Sequence, residues 1–271
     1  MSDVVRDYYD SQVEIEWGRL ERPYRRFELV STLHLIKTYF PSAGYVADIG
    51  GGPGRYTAAL LERGYRVTLV DLSEKAISFA QEKLAELGLT PEDTQCADAR
   101  DLSLLPSEKF DSALLLGPMY HLTSEGDRQK ALSELRRILR PGGRAVIAFI
   151  NPWGILRSGL SEFSSEYSDY RHISVLLGDY VQAGEQEAFT EAVFLTPPRA
   201  LAEIERAGFD VITYAGVEGF AAGMLSAVER IAAEDHPTYE NILRLVAETC
   251  ELPQYRDCTE HLHVVVQRPP T

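Results

Sequence analysis

Apolar positions along the chain fall into short continuous runs separated by longer stretches of helical periodicity. Tyr45 to Ile49 is the first such run, and Arg55 to Arg63 follows as a helix closed by Gly64. Arg66 to Val70 repeats the run; Ser73 then caps a helix reaching Leu87, with Gly88 as its left-handed stop. Thr94 to Ala97 and Phe110 to Leu116 are predicted as the third and fourth strands. Ser124 to Leu139 is a helix that ends among Arg136, Arg137 and Arg140, where cations complement the helix dipole. Pro141-Gly142-Gly143 turns the chain into a fifth strand, Arg144 to Ile150. Strands alternating with helices in this way predict right-handed crossovers and a parallel sheet covered on both faces. The expected fold class is α/β, doubly wound.

The pattern loosens on either side. Val13 to Phe40 reads as one or two amphipathic helices broken near Pro23. Trp153 to about Tyr180 is aromatic and irregularly helical, as a cap over a site would be. Ala188 to Leu195 is read as an extra strand, Pro198 to Ala207 as a helix stopped by Gly208, and Asp210 to Ala215 as a strand. A helical stretch from about Phe220 to Thr249 precedes a last strand, His261 to Gln267. One domain is expected over residues 1–271: cap helices in 1–42, a core in 43–150, a cap insertion in 151–190, and the remaining core with a helical insertion in 191–271.

Composition narrows the class. Of 271 residues, 45% are hydrophobic and 25% charged, the balance of a globular chain with a sizeable core. No run approaches the roughly 20 apolar residues that span a bilayer. The amino terminus lacks the basic start and apolar middle of a secretory signal. Three cysteines do not make a disulfide framework, so a cytoplasmic location is expected. Net charge is −14, from 41 acidic and 27 basic side chains. Such a balance repels a polyanion, so no nucleic-acid partner and no membrane are expected, although Arg19, Arg22, Arg25 and Arg26 lie close together. A small neutral or cationic partner fits better.

Candidate chemistry gathers where the first strand gives way to the first helix, at Val46-Ala47-Asp48-Ile49-Gly50-Gly51-Gly52-Pro53-Gly54-Arg55-Tyr56. This is the ligand edge of an open α/β sheet, and glycines there let backbone approach a ligand without a Cβ in the way. The nicotinamide-type spacing G-x-G-x-x-G fails in two registers, which end on Arg55 and Thr57. Asp-x-Gly-x-Gly-x-Gly fits instead, at Asp48, Gly50, Gly52 and Gly54. A leading carboxylate is badly placed beside a pyrophosphate but can accept from an ammonium, such as that of S-adenosylmethionine. Asp71 ends the second strand, followed by Leu72, about 20 residues past the glycine turn, where a carboxylate accepts both hydroxyls of an adenosine ribose. Asp98, followed by Ala99, sits at the third strand's tip and can accept from an adenine amino group. Gly117-Pro118 ends the fourth strand beside the expected sulfonium.

On these residues the sequence resembles the class I S-adenosylmethionine-dependent methyltransferases, in the group that includes ubiquinone-type enzymes. Val46 to Tyr56, with Gly51 inside it, looks like that family's first motif, Asp71 its ribose-binding acid and Asp98 its adenine-proximal acid. Leu114 to Leu122 and Leu139-Arg140-Pro141-Gly142-Gly143 look like its later motifs, so the resemblance covers about Tyr45 to Ile150. It implies a seven-stranded sheet with an antiparallel last strand, S-adenosylmethionine as cofactor, and methylation of a small-molecule acceptor on oxygen, nitrogen, carbon or sulfur.

Tyr120 and His121 are the candidate catalytic side chains. His121 reads either as a general base or as a loop histidine shaping the pocket, and the second is preferred, because a sulfonium leaving group makes a base optional. Tyr8, Tyr9, Trp17 and Tyr24 are candidate roof residues, and Trp153, Phe163, Tyr167, Tyr170 and His172 candidate acceptor-pocket residues. His261 and His263 share a strand face without a third ligand, and Cys250 and Cys258 lack zinc spacing, so no metal is expected. The alternatives are an RNA or protein methyltransferase, a non-catalytic cofactor-binding regulator and, least favoured, a nicotinamide oxidoreductase.

Overall fold

The computed structural model describes residues 3–183 and 190–270. Strand β1 (Tyr45–Ile49) shows why the sequence runs apolar without alternation. All five of its residues are buried, Val46 toward one layer of helices and Ala47 and Ile49 toward the other. A parallel strand covered on both faces has no solvent side to make polar.

Two helices precede it, α1 (Asp3–Arg19) and α2 (Arg26–Tyr39). The break near Pro23 is present, but α1 begins well before Val13. Val5 and Val13 are both buried and hold α1 down, while Gln12 between them leaves helical geometry. After β1 come α3 (Arg55–Leu61), β2 (Arg66–Asp71), α4 (Glu74–Glu86), β3 (Asp93–Cys96) and β4 (Phe110–Leu115). Ser73 caps α4 by accepting from Ala76 N, and Gly64 and Gly88 take the left-handed stops. A short α5 (Pro118–His121), α6 (Glu125–Ile138) and β5 (Leu139–Ile150) follow. The Pro141 to Gly143 turn is absorbed into β5, with a register shift against β4 between Phe110 and Ser112.

The irregular middle holds α7 (Pro152–Glu162), α8 (Tyr170–Ile173) and two short strands, β6 (Tyr180–Gln182) and β7 (Ala192–Phe194). The chain closes with α9 (Pro197–Arg206), β8 (Asp210–Gly216), α10 (Leu225–Glu234), α11 (His236–Thr249), α12 (Pro253–Arg256) and β9 (His261–Gln267). No helix among the described residues is long and apolar enough to cross a membrane.

Seven strands lie side by side as β3-β2-β1-β4-β5-β9-β8, and β9 runs antiparallel to both its neighbours. The fold class and the antiparallel last strand are as expected. The correction is to nine strands among the described residues rather than seven. Strands β6 and β7 form an antiparallel hairpin on the projecting end of β5, where Ile150 pairs with Phe194 and Leu195 N donates to Ile150 O. The strand expected over Ala188 to Leu195 is therefore short, and residues 188–189 lie outside the described part.

Alternate strand residues feed two apolar layers. Leu114, Val146 and Val265 meet α2 and α3, whereas Leu115, Ile147 and Val264 meet α6 and α9. The second layer is pinned by a buried ion pair, Arg128 Nε to Glu203 at 2.7 Å, between α6 and α9. Strand order reverses between β1 and β4, which opens a crevice at their carboxyl ends.

Candidate active site

Backbone geometry makes the crevice. After β1, Gly50 and Gly51 both donate to Val70 O, at 2.7 and 3.2 Å, which ties the turn to β2. Gly50, Gly52 and Gly54 have φ of 69°, 53° and 84°, a region that disfavours side chains. A Cβ on Gly50 would lie 2.4 Å from Pro118, so the β1 turn and the β4 tip close on each other through bare backbone. A Cβ on Gly52 would meet nothing within 4 Å, because that face opens into the cavity.

Three acids stand around the turn in different states. Asp71 is held by backbone, its Oδ2 accepting from Gly52 N at 2.8 Å and its Oδ1 from Ser73 N at 2.9 Å. Burial raises its pKa, against those two donors. Asp48 is 1% exposed and accepts from Thr57 Oγ1 at 2.7 Å; burial, only partly opposed by Thr57, pushes it up to about 6. Asp98 goes the other way. Burial would raise it, but the Arg100 guanidinium at 2.7 Å and the Arg100 amide hold it at about 2.

All three acids border one cavity of about 1100 Å³, together with Gly50, Gly51, Gly52, Leu72, Ala99 and Gly117. Gly54 lies behind it, against Ala80. Helix α1 roofs the space: Asp10 is bonded to Ser73, Trp17 stands edge-on to Phe79, and the Arg55 guanidinium lies 5.1 Å over the Trp17 ring. Of the expected roof residues, Tyr8 and Tyr9 face the cavity. Tyr24 does not; it is buried and donates to Glu260 at 3.0 Å. Phe163 and His172 reach the cavity from the cap segment. Trp153 instead donates to Leu177 O at 3.1 Å, Tyr167 to Leu156 O, and Tyr170 is exposed.

His121 and Tyr120 both border the cavity. Burial pulls His121 down to about 4, so the ring is neutral at pH 7. Its Nδ1 faces the Glu191 carbonyl at 3.0 Å, and a carbonyl only accepts, so Nδ1 carries the proton. Nε2 is left with its lone pair and receives the Tyr9 hydroxyl at 2.8 Å.

Sequence reasoning missed the charged inner wall. Arg19 bonds Glu28 at 2.7 Å and Glu16 at 3.0 Å, and Arg25 bonds Glu260 at 3.1 Å. These two arginines lie close to Arg22 and Arg26 in sequence, but folded they face inward onto carboxylates. The available signal was Glu28, a charge on the helix face otherwise set by Phe27, Ser31 and Leu35, all buried. His261 and His263 do not act together: His261 Nδ1 is 2.7 Å from Glu218, and His263 Nδ1 is 3.0 Å from Thr32. Glu218, Glu260 and His261 lie close enough to hold an ion, but Tyr24, Arg25 and their mutual bonds already occupy them.

Comparison with known proteins agrees with this geometry. A family model described as a methyltransferase domain matches residues 46–143, from β1 to the start of β5. The tRNA 5-carboxymethoxyuridine methyltransferase of Escherichia coli is 27% identical over 232 residues, covering 83% of this chain and 80% of that protein. The ubiquinone/menaquinone biosynthesis C-methyltransferase UbiE of Proteus mirabilis is 29% identical over 183 residues, 64% of this chain and 69% of the relative. The chain is a class I S-adenosylmethionine-dependent methyltransferase. Among solved structures, the Burkholderia thailandensis 1,6-didemethyltoxoflavin-N1-methyltransferase shares its fold with a TM-score of 0.61 at 19% identity, over 98% of this chain and 88% of the other. A methyltransferase from Methanosarcina mazei does so at 0.60 and 17% identity, over 88% and 98%. The methyltransferase's residues fit the cofactor: a cradle that side chains would fill, open at Gly52, with carboxylates at the tips of β1 and β2 and just past β3.

Proposed function

We propose that this methyltransferase moves the methyl group of S-adenosylmethionine to a small acceptor held in the inner part of the same cavity. The observation that carries the reading is size: about 1100 Å³ exceeds the roughly 300–1,000 Å³ of a site for one drug-sized ligand. There is room for a cofactor over the glycine turn and a second molecule under α1 and α7. S-adenosylmethionine supplies an electrophilic methyl on a good leaving group.

The residues have distinct work in this reading. Asp71 accepts the ribose hydroxyls beside Leu72, and Asp98 with Ala99 receives the adenine edge. Gly50, Gly51 and Gly52 bring backbone against the methionine portion, and Gly54 behind them lets the turn close on Ala80. Asp48 faces its ammonium, and a cation there would favour the ionised carboxylate that burial disfavours. Gly117 leaves space at the reacting centre. A histidine held near pKa 4 is a weak base, so His121 and Tyr120 shape the pocket, and rate comes from in-line placement. With Cys96, Cys250 and Cys258 all free thiols, we assign the protein to the cytoplasm.

A tRNA acceptor is the second reading, favoured by the Escherichia coli relative named above. The net charge of −14 opposes it. Release of S-adenosylhomocysteine with a metabolite panel, and with bulk tRNA, separates the two. Turnover with tRNA alone would overturn the small-acceptor reading.

A further inference from the structure

The inner wall of the cavity is better furnished for a hydrogen-bond donor than for an anion. Eight carboxyl side chains and four arginines line the whole cavity, and no lysine is among its described lining residues; three of the acids, Asp48, Asp71 and Asp98, stand at the cofactor end, which leaves five carboxyls for the rest. Each arginine already has a carboxylate: Arg19 with Glu16 and Glu28, Arg25 with Glu260, Arg55 with Glu21, Arg6 with Asp7. His261 is bonded to Glu218 and His172 to Glu166. Glu162 has a weaker share, 3.7 Å from the Arg25 guanidinium that Glu260 holds at 3.1 Å. An anion entering here would compete with a carboxylate for every guanidinium, whereas a cation is drawn by the surplus.

Tyr9 adds direction. The Glu191 carbonyl fixes the proton of His121 on Nδ1, so Nε2 takes the Tyr9 hydrogen. The Tyr9 oxygen therefore offers lone pairs, not a proton, to a molecule in the cavity. Ile155, Phe163, Ile173 and Leu176 also line the cavity and give it apolar surface.

From this arrangement we infer that the methyl acceptor is a small amine with an apolar body, drawn toward the cavity as its cation by Glu162 and, once neutral, donating N–H to Tyr9 Oη. The inference rests on the cavity holding both cofactor and acceptor. The amine must arrive at the reacting position unprotonated, having left its proton in water. Its lone pair then forms the C–N bond as the C–S bond breaks, the bonding pair returns to sulfur, and the product ammonium releases a proton to water.

The test uses matched probes on the full chain: phenethylamine, tryptamine and histamine against phenylacetate, indoleacetate and imidazoleacetate. Release of S-adenosylhomocysteine is measured for each, and calorimetric binding of S-adenosylhomocysteine is measured alongside. Amines should turn over and acids should not. Tyr9→Phe should raise the amine KM about 10-fold, the size of one lost hydrogen bond, with cofactor-product affinity within about threefold. Glu162→Gln should raise KM about fivefold and flatten its salt dependence. Turnover of an acid as fast as its amine, or silence of every amine while S-adenosylhomocysteine binds, overturns the amine assignment and leaves the cavity reading standing. Absence of S-adenosylhomocysteine binding would sink both.

Discussion

Replacing Asp48 by Asn isolates the carboxylate whose ionisation the fold resists. Asp48 is 1% exposed, and burial, with a smaller push from Asp71, carries its pKa from 3.8 to about 6 despite Thr57. A carboxyl whose folded pKa is raised contributes its stability in full below the unfolded value and loses it as pH rises through the folded one. The gap is worth about 3 kcal/mol in all, of which about 1.4 kcal/mol is lost between pH 5 and pH 8. Urea unfolding of the ligand-free protein and of Asp48→Asn across that range gives the difference directly. From pH 8 to pH 5 the wild type should gain about 1 to 1.5 kcal/mol relative to Asp48→Asn. The slope is the readout, since the new amide brings a buried donor of its own that shifts the absolute values. Parallel curves would refute a buried, reluctantly ionised Asp48.

Three further outcomes follow from the packing. Gly51→Ala should weaken cofactor binding at least about 10-fold by calorimetry, because the added Cβ would lie 2.4 Å from Leu69 and 2.7 Å from Asp48. Arg128→Met should cost about 3 kcal/mol in urea unfolding, because fully buried Glu203 keeps only the partly exposed Arg199 guanidinium, at 3.3 Å, whereas an exposed pair such as Arg230–Glu234 should change less than about 1 kcal/mol. Glu28 is held at about 2, where burial is outweighed by Arg19, so its stabilisation is present above the ordinary carboxylate value and lost as pH falls from about 4.5 toward 2. In acid titration monitored by circular dichroism, Glu28→Gln should remove part of that loss; an unchanged acid transition would contradict the pairing.

The core was legible because its signals are local. Ser73 and Gly88 bracket α4 by capping, and β1, β2 and β4 are mostly apolar and buried on both faces, so topology followed from alternation. The glycine turn was legible because three of its positions need positive φ and Gly50 sits against Pro118. The inner wall was not, since Tyr9 meets His121 across 112 positions and Arg25 meets Glu260 across 235, pairings that no local pattern encodes. The hairpin of β6 and β7 escaped for a related reason: three-residue strands depend on the projecting end of β5 rather than on a run of their own.

Titration of S-adenosylhomocysteine into the wild type and Asp71→Ala tests the assignment of the crevice most directly. Two hydrogen bonds from ribose to a carboxylate, at about 1.5 kcal/mol or more each, predict a loss in affinity of roughly 100-fold or greater. A wild type that binds while Asp71→Ala binds equally well would contradict it.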